Sequence, residues 1–69
     1  MNDNIGTGRI IAIFRKSKRM TQSELANSVG ISKGHIAAIE EGRKQPKIKT
    51  LARIAKCLGV EIEILLKRR

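Results

Sequence analysis

Apolar residues recur along the chain at helical spacing, in blocks separated by polar or glycine-bearing breaks. Ile10, Ile11, Ile13 and Phe14 fall within Ile5 to Lys18 and predict a first helix with one broad apolar side. Leu25, Ala26 and Val29 share a face of a second helix over Gln22–Val29. Ile36, Ile39 and Glu40 share a face of a third. Lys47 to Leu58 predicts a fourth, with Ile48, Leu51, Ile54, Ala55 and Leu58 on one side. Val60, Ile62, Ile64 and Leu66 then alternate with Glu61 and Glu63, a period that also suits a strand. A lone strand has no pairing partner in an otherwise helical chain, so a short fifth helix is expected and the fold class is all-α.

The breaks between blocks agree with this division. Thr21 and Glu24 have the spacing of a capping box at the start of the second helix. Gly30 stands where the chain leaves that helix with positive φ, Ile31 completes the turn, and Ser32 caps the third helix. Gly42 stops the third helix, Pro46 opens the approach to the fourth, and Gly59 ends it. Ala26 is small enough for the third helix to cross close by. Gly6 and Gly8 lack the further glycine and lysine of a phosphate loop, so Gly8 is expected to let the first helix begin against other backbone. Met20 is expected to plug the space between the first two helices. Lys33, Gly34, Ala37 and Ala38 are left pointing away from the body.

Charge changes the picture from a generic bundle to a polyanion binder. The 69 residues allow one domain, taken as 1–69 with Met1 to Asn4 frayed, and carry fifteen Lys and Arg against six Asp and Glu, a net charge of +9. Nucleic acid fits that surplus better than a membrane surface, because the apolar positions are consumed by an internal core. The N-terminus has no apolar stretch after a positive start, and no apolar run approaches a bilayer's width. Cys57 is the only cysteine, which leaves no intrachain disulfide and no cysteine-based metal site. It is read as a small core residue, and a reducing cytoplasm suits it. His35 is the only histidine and nothing beside it forms a triad, so no enzyme, cofactor or small-molecule ligand is expected. With Phe14 the only aromatic residue, base stacking on aromatics is excluded, which weakens a single-stranded RNA reading and favours double-stranded DNA as the partner.

Candidate contacts follow from the outward face of the third helix. Lys33 opposes the helix dipole in the first turn, a cost that a phosphate or a guanine edge would offset. Gly34 is a poor helix former by about 1 kcal/mol, but it lets backbone approach DNA closely. Ala37 and Ala38 either touch a thymine methyl or leave room; His35 flanks this face and either reaches DNA or has no role. Gln22 and Ser23 begin the second helix, where free backbone N–H groups suit a phosphate; a merely solvated Gln22 fits the spacing equally well. Arg43, Lys44 and Lys47 follow the third helix and are placed to grip flanking backbone, with Arg43 the candidate minor-groove probe. Part of the Lys16 to Arg19 run has a structural role at a helix C-terminus. Arg15 and Glu40 are expected to form a partly buried bidentate pair that fixes the angle between the first and third helices.

The chain resembles the lambda-repressor/Cro-like, or xenobiotic-response-element, helix-turn-helix domains. The resemblance spans Gly8 to Leu66. It rests on Gly8, Ile11, Phe14-Arg15, Met20-Thr21-Gln22, Glu24-Leu25-Ala26, Gly30-Ile31-Ser32, Ile36, Ile39-Glu40, Gly42, Pro46, Leu51, Ile54-Ala55 and Leu58-Gly59-Val60. It implies five helices with the second and third as the helix-turn-helix, dimeric binding of duplex DNA, and transcriptional regulation of the kind seen in restriction-modification controllers and small phage repressors. It places phosphate grip on Gln22 and Arg43, base reading on Lys33, Gly34, Ala37 and Ala38, and a buried ion pair on Arg15 and Glu40. The chain departs from the family at Gly34 and Ala38, where many members carry long polar readers, and at Lys47, which replaces a small capping residue. Ile64, often polar in the family, lies beside Leu66 and implies a homodimer interface on the fifth helix. An antitoxin-type or other protein-interaction module is the alternative reading of the same fold.

Overall fold

The structure, a computed structural model, describes residues 6–66. The expected fraying of Met1 to Asn4, a helical start at Ile5 and the terminal Lys67 to Arg69 lie outside the described residues. Five helices follow in order: α1 (Thr7–Ser17), α2 (Gln22–Val29), α3 (Lys33–Glu40), α4 (Ile48–Leu58) and α5 (Ile62–Leu65). Among the described residues there is no strand. The alternation after Val60 resolves as the short helix because Leu65 is fully buried and Leu66 donates its N–H to the Ile62 carbonyl.

The core is the meeting point of all five helices. Ile11, Leu25, Ile36, Ile39, Ile54, Leu58 and Leu65 are fully buried, and Met20, Ile31 and Cys57 pack partly buried against them. Truncating any of these large aliphatic residues to alanine costs about 2–5 kcal/mol, a large share of what a domain this size possesses. α5 is a single turn and holds its place through Leu65 and through Thr7, whose hydroxyl donates to the Leu65 carbonyl at 2.7 Å.

Two apolar positions depart from the periodic reading. Ile13 is 51% exposed, because Ile11 and Arg15 set the inward line of α1 and Ile13 lies well around the helix from them. Ile48 is 63% exposed: the stripe of α4 extends to its first residue, but the core begins only at Leu51.

Gly8 behaves as its neighbourhood requires. A methyl group there would run into the carbonyl oxygen of Ile39 and lie 2.9 Å from the Glu40 Cα. α1 therefore starts flush against the last turn of α3, an approach that only glycine allows.

Candidate nucleic-acid interface

The α2–α3 pair is built by its end residues. The Thr21 hydroxyl accepts the Glu24 N–H at 3.0 Å, and Glu24 Oε1 accepts the Thr21 N–H at 2.8 Å, closing the capping box. Gly30 takes φ 86° and returns its N–H to the Ala26 carbonyl. Ser32 then caps α3 by accepting the His35 N–H at 3.0 Å.

The first turn of α3 stands free. Ser32, Lys33 and Gly34 are exposed, and His35 and Ala37 are half-buried. A methyl group on Gly34 would meet only the Ser32 hydroxyl, 4.0 Å away. Ala38 departs from the expected outward face: it is 8% exposed and packs inward. Gly42, at φ 81°, turns the chain back at the C-terminal end of α3, and the Ala38 carbonyl accepts the N–H groups of both Arg43 and Lys44. The outward surface is therefore Lys33, Gly34 and the rim of Ala37, with His35 at its edge.

The opposite end of α3 is anchored. Arg15 Nε donates to Glu40 Oε2 at 2.6 Å and its Nη2 to Oε1 at 3.0 Å. Its remaining Nη1 donates to the Met20 carbonyl at 2.6 Å, so one guanidinium binds α3 and the α1–α2 turn together. Both side chains of the pair are under 10% exposed. Burial opposes the charged form of Glu40. Hydrogen bonds from Arg15 and Gln22, with the positive charges of Arg15 and Lys16, outweigh it and hold the carboxyl below its ordinary pKa. The hydrogen bond to Glu40 dominates at Arg15 and holds its guanidinium above its ordinary value.

Gln22 belongs to this anchor as well. Its Nε2 donates to Glu40 Oε1 at 3.0 Å, a contact that spacing along the sequence did not reveal. The bond fixes the amide at the start of α2 and still leaves it a second N–H. Ser23 is exposed in the same turn. Arg43 is not a free probe: it forms an exposed ion pair with Glu41, Nη2 to Oε1 at 2.7 Å. Such a pair is worth under about 1 kcal/mol and opens readily. Lys44 and Lys47 are exposed, and Lys47 begins α4 without a side-chain cap. Among the described residues no group of three His, Cys, Asp or Glu could hold a metal ion, and no helix is long and apolar enough to cross a membrane.

Known proteins resemble this chain in sequence and fold. The family profile described as Helix-turn-helix matches residues 11–65. The chain is 37% identical over 65 residues to the ImmF control region 10 kDa protein of Bacillus phage phi105, covering 94% of this chain and 72% of that protein. It is 33% identical over 58 residues to the immunity repressor protein of the same phage, covering 84% of this chain but only 40% of the repressor. Among solved structures, the P22 c2 repressor in complex with a synthetic operator superposes with a TM-score of 0.87 at 28% identity, covering 91% of this chain and 96% of the other. The chain belongs to the lambda-repressor-like helix-turn-helix family, whose members are DNA-binding transcriptional regulators and not enzymes.

Proposed function

We propose that this chain regulates transcription in the cytoplasm by binding an inverted-repeat duplex operator as a homodimer, with residues 1–69 acting as one domain. The observation that carries this reading is the contrast within α3: its last turn is locked to α1 and α2 through Glu40, while its first turn presents Lys33 and Gly34 to solvent. A rigid, protruding helix start on a chain of net charge +9 suits the major groove. Lys33 is the one long side chain on that surface, so base reading is sparse and DNA shape carries much of the specificity. Gln22, Ser23, Lys44 and Lys47 grip phosphates, and Arg43 joins them by leaving Glu41.

Ile64, 48% exposed on α5, supports the two-fold interface. Leu66 is half-buried against the core and contributes only its remaining surface. The symmetry axis would set two α3 helices about 34 Å apart. Operator binding by P22 c2 repressor, a structural neighbour of the whole fold, agrees with this use.

Selection of bound sequences from random duplex DNA tests the reading. Recovery of an inverted repeat, with affinity falling steeply as salt rises, is the expected result. Salt-independent or absent duplex binding would refute it. Ile64→Glu should give monomers that bind one half-site weakly; an intact dimer would place the interface elsewhere.

A further inference from the structure

Four helices end in the same way, and one of them uses the wrong residue for it. After α1, α2, α3 and α4 a residue turns left-handed, and the next donates its N–H to the carbonyl five positions back: Met20 to Arg15, Ile31 to Ala26, Arg43 to Ala38 and Val60 to Ala55. At α2, α3 and α4 the left-handed residue is Gly30, Gly42 or Gly59. At α1 it is Arg19, with φ 60°. A side chain with a Cβ is disfavoured there, and glycine is the usual solution. Hydrogen bonds on both sides favour this conformation: Arg19 donates its N–H to the Lys16 carbonyl at 2.9 Å, and the Met20 carbonyl that follows accepts from the Arg15 guanidinium.

The neighbouring cations are exposed too, but each lies beside charge or a helix end within the fold. Lys16 contributes positive charge at Glu40. Lys18 reaches across to the end of α4, its Nζ 3.9 Å from where a methyl on Gly59 would stand, a favourable place for a cation. Arg19 is exposed and, among the described residues, has no carboxylate partner. It lies two residues before the α2 cap residue Thr21 and three before the fixed amide of Gln22.

We propose that Arg19 is a phosphate-contacting residue of the DNA interface, kept in a strained backbone position because its guanidinium there extends the grip begun by Gln22 and Ser23. This rests on the duplex-binding reading given above. The strain and the contact make opposite demands on one residue, which a single substitution separates. Arg19→Gly should raise Tm by about 3 °C by relieving the turn, yet weaken duplex binding about fivefold at 0.1 M salt and lower the salt slope by about one. Arg19→Lys, which keeps the charge and the Cβ, should retain most of the affinity and not gain Tm. A glycine variant with unchanged affinity and slope would overturn the proposal, as would a Tm that fails to rise. Lys33→Ala measured in parallel separates the two levels: loss of binding there with none at Arg19→Gly removes this inference alone. Absence of duplex binding by the parent chain removes the functional reading and this inference with it.

Discussion

Gly8 and Gly34 both occupy the second position of a helix, and a methyl group would meet opposite surroundings at the two. At Gly8 it would strike the Ile39 carbonyl and crowd Glu40, backbone that cannot move without shifting α3. At Gly34 it would find open space apart from the Ser32 hydroxyl. The first glycine is demanded by the packing of α1 on the anchored end of α3. The second has no packing reason and carries a helix-propensity cost of about 1 kcal/mol. One helix thus has an end specified by the interior and an end that the interior leaves free, and the free end is the one proposed to meet DNA.

The sharpest way to break the anchored end is Glu40→Ala. It leaves the Arg15 guanidinium buried without its partner and should cost about 3 kcal/mol in denaturant unfolding. Replacing both members, Arg15→Met with Glu40→Leu, should recover most of that loss, because the pair's attraction is largely offset by desolvation. The same carboxylate sets an acid limit. Its folded pKa lies below the ordinary value, so its contribution is fully present above the unfolded-state pKa and is lost as pH falls through the folded one. Glu40→Gln should flatten the stability profile across that window; a profile parallel to the parent's would contradict the assignment.

Gly8→Ala comes next, with a loss of about 2 kcal/mol as α1 is pushed off α3. Gly34→Ala should do the reverse, stabilising the chain by up to about 1 kcal/mol while weakening duplex binding, since the added methyl would stand on the proposed DNA-facing surface. Equal stability effects at the two glycines would erase the contrast drawn between them. Smallest of all is Glu41→Ala, which should change stability by less than about 0.5 kcal/mol. It should strengthen DNA binding slightly, because Arg43 no longer has to leave an ion pair and one negative charge is removed.

Much of this was legible along the sequence because it is local. The capping box at Thr21 and Glu24, the positive φ at Gly30, the helix stops at Gly42 and Gly59, and the Ser32 cap are each decided within a few residues, and all formed as spaced. The Arg15–Glu40 pair was also readable, since the inward faces of α1 and α3 both carried an ionisable residue of opposite charge. What escaped depends on distant chain. Ala38 lies on an outward sector by periodicity, but it is buried where the chain after α3 doubles back. Ile48 continues the stripe of α4 past the point where the core stops. Gln22 looked like a free surface amide until α3 brought Glu40 within 3.0 Å. Arg19 gave no periodic signal at all; only its backbone angle marks it.

Amide chemical-shift mapping of the labelled protein during titration with operator duplex tests the central claim most directly. The largest changes are expected at Ser32 to Ala37 and at Gln22 and Ser23, with smaller ones at Arg43 and Lys44. Changes confined to α4 and α5, with the amides of Lys33 to Ala37 unmoved at saturation, would contradict it.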